Sequence, residues 1–333
     1  MIFQTIKNLL TSKDLFAQLK INEIMKLEGS LIFYNTGIET GLFKILLTPS
    51  SLEELAFKLN IKNTQLLSSF LDLGCSLKEI SYRDNKYRLK GAMTQALVNN
   101  IPIIELVRET VKYHADIAQR LKSFLLNNEK GYYLNEFGGV IAESSRILEP
   151  MIKGFIYYTI KKTTPLRILE IGCGAGEYLK YYVDINKNNS GVGIDIDSSA
   201  VEIAKTKIKE NNIDKNFIII QDNIIKLKQI HNMTFDLVTS FSNMHYFSED
   251  EKIQMFEIIY KLLNNNGRFI LATGFKNPNL SSSYYDLIFS ATEGLYPLPK
   301  INDIVNYMKK SGFVRIKVVN LLGESFRGIV AYK

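Results

Sequence analysis

Two periodicities divide the chain. Up to about residue 160, apolar positions recur at helical spacing. Beyond it, short β-branched runs alternate with helical stretches, the pattern of a parallel sheet covered on both faces. In the first part, Ser51-Leu52-Glu53-Glu54 reads as a capping box, opening a helix with Leu52, Leu55, Ala56 and Leu59 on one side. Asn63-Thr64 opens a second, carrying Leu66, Leu67, Phe70, Leu71 and Gly74 at the same spacing. Ile80-Ser81-Tyr82 and Tyr87-Arg88-Leu89 then flank Arg83-Asp84-Asn85-Lys86, a hairpin turn. Residues 100–160 read as connecting helices, with Val107, Val111, His114 and Ala118 or Leu121 on an apolar stripe.

In the second part, Leu166–Ile171 is a buried strand running into Gly172-Cys173-Gly174-Ala175-Gly176, with a helix from about Glu177. Glycines allow a sharp turn and a close approach to a ligand, and the helix start offers free N–H groups. The dinucleotide fingerprint G-x-G-x-x-G would put its last glycine where Glu177 stands. No Lys-Ser or Lys-Thr pair follows, which excludes a P-loop. Glu170, just ahead of the loop, suits a ligand with a cationic amino group and a sulfonium. A second strand, Gly191–Asp195, ends in an acid where a ribose diol would lie. Ser198 and Ser199 then start a helix that buries Val201, Ala204 and Ile208. A third strand, Phe217–Ile220, leads to Gln221-Asp222-Asn223, where Asp222 is expected to accept from an adenine amino group and the N–H of Asn223 to donate to its ring. The fourth, Phe235–Ser240, precedes Phe241–Phe247 and a capping box at Ser248–Glu251. Asn266-Gly267-Arg268 is expected to turn into a fifth, Phe269–Thr273.

Composition narrows the classes. The 333 residues are 46% hydrophobic and 23% charged, with room for two domains. No apolar run is long enough to span a bilayer, and the N-terminus does not read as a signal peptide. Cys75 and Cys173 alone exclude a disulfide framework or a cysteine-rich zinc site, so no metal is expected and a cytoplasmic setting is. The net charge of +7 is spread among asparagines and acids rather than gathered in a basic block.

Helix, helix, hairpin is the order of a winged-helix unit. A DNA-reading helix needs basic or amide side chains on its exposed face, yet Thr64–Leu77 holds no lysine or arginine, which favours protein packing over nucleic acid. The chain resembles the class I S-adenosylmethionine-dependent methyltransferases through Glu170-Ile171-Gly172-Cys173-Gly174-Ala175-Gly176, Asp195, Gln221-Asp222 and Phe235-Asp236-Leu237-Val238. It is also similar in outline to two-domain O-methyltransferases with an N-terminal winged-helix dimerisation domain, which the stretch Gly37–Leu89 matches.

The resemblance implies an α/β fold: a Rossmann-like sheet, mostly parallel with its last strand antiparallel, preceded by a mainly helical winged-helix domain. Residues 1–100 would be that dimerisation domain, 101–160 connecting helices that contribute to the substrate pocket, and 161–333 the cofactor-binding catalytic domain. Phe313–Asn320 and Phe326–Tyr332 would be the closing antiparallel pair. Gly172, Gly174 and Gly176 would hold the methionine part of S-adenosylmethionine with Glu170, Asp195 the ribose, Asp222 and Asn223 the adenine, and Ser240 would add a cofactor contact. The implied partners are a small-molecule substrate and a second copy of the chain, with neither nucleic acid nor membrane.

In that group a histidine just after the fourth strand, in a segment like H-D-W-S-D-E, is the base. His245-Tyr246-Phe247-Ser248-Glu249-Asp250 keeps the histidine and serine but not the acidic or tryptophan neighbours. Histidine suits deprotonation of a hydroxyl near neutral pH, whereas an amine acceptor would need His245 only as a pocket wall. The favoured acceptor atom is therefore oxygen, with N- or C-methylation, including protein lysine, as the alternative and a cofactor-sensing regulator as a third. His114 is the rival base. Tyr113, His114, Phe137, Asn243 and Tyr285 are candidate substrate contacts, and Phe275–Pro299 has the composition of an apolar lid or of core.

Overall fold

The computed structural model describes residues 15–161 and 164–333. It divides into two compact units: the residues up to Asp116 with Gly139–Ser144, and Ile117–Gly138 with Ser145–Lys333.

Among the described residues of the first unit, the helix Leu15–Thr40 comes first, and Gly41 ends it in a left-handed conformation (φ 75°). Ser51 and Glu54 form the reciprocal capping box of the helix Leu52–Lys58, and the Asn63 side chain caps Thr64–Ser76. Strands β1 (Ile80–Arg83) and β2 (Lys86–Leu89) pair antiparallel around Asp84-Asn85. Both turn residues have positive φ (51° and 57°), as a two-residue turn matched to strand twist requires, and Asp and Asn tolerate that region better than most residues. Phe33, Phe43, Leu46, Leu55, Leu67, Leu71, Ile80 and Tyr87 share this unit's core.

The second unit is built on seven strands: β3 (Arg167–Ile171), β4 (Ser190–Asp195), β5 (Phe217–Gln221), β6 (Phe235–Phe241), β7 (Leu263–Gly274), β8 (Arg315–Leu322) and β9 (Phe326–Tyr332). Their order is β5-β4-β3-β6-β7-β9-β8, parallel except for β9, which runs antiparallel to both neighbours. Alternate side chains serve opposite faces. Leu169, Ile171, Val192, Val238 and Leu271 join one core, whereas Ile168, Leu237, Ile270 and Ala272 join the other. The chain winds outward from β3 to β5, then returns to lay β6 beside β3, so a crevice opens where the order reverses.

One local expectation needs correcting. Asn266-Gly267 does not turn the chain into a strand; it lies inside β7, already extended from Leu263. Phe235 pairs with Leu263 and Leu237 with Arg268, so the intervening residues of β7 bulge outward, with Asn266 at φ 65°. Asp236 pins the bulge by accepting from Asn264 Nδ2 (2.8 Å) while its other oxygen takes the Arg167 N–H (2.8 Å).

Gly191 fixes the pairing of β4 with β3. Its φ is 154°, and a Cβ there would stand 1.8 Å from the Ile168 carbonyl oxygen, a backbone atom with no room to yield. Gly191→Ala is expected to lower stability by about 3 kcal/mol in urea denaturation. Gly154→Ala, on the helix Glu149–Ile160 where a Cβ meets nothing within 4 Å, should raise it by about 0.5–1 kcal/mol. Equal midpoints for the two variants would contradict the pairing described.

Candidate functional site

The crevice between the ends of β3 and β6 is shaped by the glycine loop. Gly172, Gly174 and Gly176 all have positive φ (66°, 52° and 77°), which other residues adopt only at a cost. Each neighbouring strand clamps the loop. From β6, Ser240 Oγ donates to Asn243 Oδ1 (2.5 Å), and Asn243 Nδ2 donates to the Ile171 carbonyl (3.0 Å). A Cβ on Gly172 would stand 2.6 Å from that same Nδ2. From β4, Asp195 Oδ2 accepts the Gly174 N–H (2.8 Å) while Oδ1 takes the N–H of Asp197 (3.0 Å). Around Gly174 nothing lies within 4 Å of where a Cβ would be, so the loop borders open space.

Glu170 lies below this turn. It is 2% exposed, and its Oε2 has no hydrogen-bond partner among the described residues. Burial pushes its carboxyl up to about 8, against the pull of the Tyr182 hydroxyl, with Asp195 and Glu177 adding to the rise. An unpaired buried carboxylate is costly, and a cation beside it would remove that cost. The residues present thus fit S-adenosylmethionine: room over Gly174, an unpartnered acid for positive charge, and Asp195 with lone pairs left for a diol.

Asp222 follows β5 directly and is engaged by its own loop. Its two oxygens accept from the N–H groups of Asn223 (2.8 Å), Lys228 (3.3 and 3.2 Å) and Gln229 (3.0 Å). Three N–H donors, one of them shared between both oxygens, engage the carboxylate, so Asp222 braces the loop after β5. Asn223 is engaged likewise, its Oδ1 accepting from Ile225 N–H (2.8 Å). Ser240 and Asn243, expected as ligand contacts, are buried supports of the glycine turn. Their clamping role could not be read from sequence, because it depends on β6 lying beside β3. The exposed Ile196, immediately after Asp195, presents an apolar surface that the sequence reading passed over.

His245 stands on a single turn, Met244–Tyr246, between rings: Phe289 stacks on it at 4.4 Å and 20°, and Tyr246 lies 4.5 Å away. Phe289 comes from the helix Leu280–Ser290, which also carries Tyr285, 6.0 Å from Phe289. Tyr296 N–H donates to the His245 carbonyl (2.8 Å), so Phe275–Pro299 packs directly on this turn. Burial pushes the imidazole down to about 3, and the charge of Lys252 adds to the fall. Among the described residues no carboxylate pairs with His245.

His114 has such a partner. In the first unit its Nε2 lies 3.1 Å from Glu109 Oε1, and Ser144 Oγ donates to the other carboxylate oxygen, all three buried. Tyr113 precedes it on the same wide helical turn, Thr110–His114, whereas Phe137 lies in the second unit, its ring 6.4 Å from Tyr133. Cys173 is buried in the loop; burial pushes its thiol up, with Glu170 adding to the rise, so it is an inert packing group. No cluster of metal-ligating side chains occurs among the described residues.

Residues 168–267 match a family model described as a methyltransferase domain. An uncharacterized protein of Rickettsia prowazekii (strain Madrid E) is 29% identical over 30% of this chain and 40% of its own length. A carboxy-S-adenosyl-L-methionine synthase of Campylobacter jejuni is 22% identical over 51% of this chain and 78% of its own. The match therefore spans less than half of the first of these relatives. Among solved structures, the mitomycin 7-O-methyltransferase MmcR superposes with a TM-score of 0.78 at 14% identity, covering 95% of this chain and 98% of that one. PigF, solved with S-adenosylhomocysteine, superposes at 0.77 with 17% identity, covering 95% and 99%. At such identities the likeness is one of fold.

Glu170 makes a testable contribution to stability. Its folded-state pKa is raised, so its contribution is full below the ordinary carboxyl range and is lost as pH rises through about 8. Without ligand, the melting temperature of wild type should therefore fall between pH 5 and 9 relative to Glu170→Gln, by about 2–4 °C for each kcal/mol lost. Parallel pH profiles in scanning calorimetry would mean that the carboxyl is not buried as described.

Proposed function

We propose that this chain, which carries a class I S-adenosylmethionine-dependent methyltransferase domain, transfers a methyl group to an oxygen of a small-molecule acceptor. The observation that carries the reading is the unpartnered Oε2 of Glu170 beneath an open glycine turn at the sheet's switch point. Bound S-adenosylmethionine supplies an electrophilic methyl on a sulfonium. In this reading Glu170 neutralises the cationic end, the N–H groups and space of Gly172–Gly176 seat it, and Asp195 accepts from the ribose hydroxyls. Ile196 offers one face for the base, with Asp222 and Asn223 shaping its far edge. His245, Phe289 and Tyr285 wall the acceptor side, and Phe275–Pro299 excludes water. The domain's main contribution to rate is then alignment of acceptor and methyl in a dry site. An amine acceptor is the second reading, favoured because no carboxylate among the described residues pairs with His245.

Further parts of the reading concern assembly and setting. The helix Leu15–Thr40 leaves Phe16, Ile24, Met25, Leu27 and Leu31 between 37% and 81% exposed, more apolar surface on one helix than a monomer ordinarily shows water. We assign it to a homodimer. The free thiols Cys75 and Cys173 suit a reducing, cytoplasmic setting, and no helix among the described residues is long and apolar enough to cross a membrane.

Calorimetric titration with S-adenosylhomocysteine should show Asp195→Ala weakening binding by roughly tenfold or more, the cost of a lost charged hydrogen bond. His245→Ala should leave the affinity within about twofold, because a wall residue on the acceptor side owes the cofactor nothing. Equal loss in both variants would refute the division of roles. In sedimentation, the 38.1 kDa chain should run as a pair, and Ile24→Glu with Leu27→Glu should release single chains. A monomeric wild type would exclude the assembly.

A further inference from the structure

Lys252 is the unusual group beside His245. It lies on the helix Glu249–Leu262 at 5% exposure, and none of the described carboxylates comes within ion-pair distance of its ammonium. One N–H donates to the Phe247 carbonyl (2.6 Å), and the ring of Tyr296 lies 5.8 Å away. Among the described residues the other two donors have no protein acceptor. Glu249 and Glu251 are near enough to favour its charge, but Glu251 is committed to the Ser248 N–H (2.8 Å) and Glu249 to the Tyr307 hydroxyl. Burial accordingly lowers the lysine's pKa. A buried ammonium without a counter-ion costs several kcal/mol, and the cost disappears when an anion arrives.

The same group of residues holds His245. Phe247, whose carbonyl accepts a hydrogen bond from the lysine, is two residues on, and Tyr296, under the lysine, donates its N–H to the His245 carbonyl. A protonated imidazole here would set a second cation beside the first. The turn is thus arranged against the charge state that a general base must reach and in favour of a negatively charged neighbour.

We propose that the acceptor binds as an oxyanion, an acidic phenol or enol already ionised, with Lys252 as its counter-charge and His245 as a neutral neighbour whose ring is held by Phe289 and Tyr246; this rests on the methyl-transfer reading above. The acceptor's proton leaves to solvent on binding. In the transfer step the oxyanion's lone pair forms the new O–C bond as the C–S bond breaks, and that bond's electron pair stays on sulfur. The acceptor's negative charge and the sulfonium's positive charge are consumed together, and no side chain has to take a proton. Lys252 weakens the nucleophile somewhat, but it makes the ionised form available at neutral pH without a base.

The test uses the full chain saturated with S-adenosylhomocysteine and 4-nitrophenol as probe, whose anion alone absorbs in the visible. Wild type should lower the probe's apparent ionisation midpoint by about one unit, a tenfold gain in the anion-to-phenol ratio. Lys252→Met should abolish the shift, Lys252→Arg keep most of it, and His245→Phe leave it in place. If wild type binds S-adenosylhomocysteine yet leaves the probe's ionisation unchanged, the proposal is wrong. It is equally wrong if the shift survives Lys252→Met or vanishes in His245→Phe, which would make the imidazole the proton acceptor. Should Lys252→Met fail to fold, as its melting curve would tell, the wild-type and Lys252→Arg midpoints decide. Failure of wild type to bind S-adenosylhomocysteine would instead strike the methyl-transfer reading, and this proposal with it.

Discussion

The glycine turn after β3 is held open by two hydrogen bonds from outside it: Asn243 Nδ2 to the Ile171 carbonyl and the Gly174 N–H to Asp195. A tight turn of three left-handed glycines has no packing of its own to fix its shape, and glycine loses more freedom on ordering than any other residue. The shape must therefore come from the strands on either side. β6 supplies one clamp and β4 the other, which is possible only because the chain doubles back to put both beside β3. Gly191 lets β4 come close enough. The space above Gly174 is a consequence of this arrangement.

Two buried ionisable groups, Glu170 and Lys252, stand out, and among the described residues neither has an oppositely charged partner within ion-pair distance. Glu170 keeps one oxygen unsatisfied, and Lys252 keeps its ammonium without a counter-ion. A fold under selection for stability alone would have no reason to retain either, since each costs more buried than paired. Together they describe a ligand pair: something cationic near the carboxylate and something anionic near the lysine. Methyl transfer from a sulfonium to an oxyanion consumes both charges in one step, which accounts for both residues with a single reaction.

Much of the second unit was legible in the sequence. Strands β3 to β5 ended where β-branched runs met glycine or acid, and the capping boxes at Ser51, in the first unit, and Ser248 formed as read. What failed depended on neighbours that sequence does not name. Asn266-Gly267 carries the signature of a turn, but the partner strand keeps its pairing on both sides and leaves a bulge. That Asp222 also braces the loop after β5 became visible only when the N–H groups of Lys228 and Gln229 folded back onto it. Lys252, one lysine among the charges of an amphipathic helix, gave no sign of burial. Phe289 sat in a stretch readable only as lid or core, and its stacking on His245 is a tertiary fact. The winged-helix order was readable from turn chemistry at Asp84-Asn85, whereas assembly through that unit was inferred from resemblance and has its own test.

The most direct measurement of the central claim is a crystal structure of the full chain grown with S-adenosylhomocysteine. The account requires the ligand's amino group within hydrogen-bond distance of Glu170 Oε2, its ribose on Asp195 and its sulfur over the glycine turn, directed toward the side that His245 walls. Ligand density elsewhere on the sheet, or a crevice holding only water at saturating ligand, would contradict it.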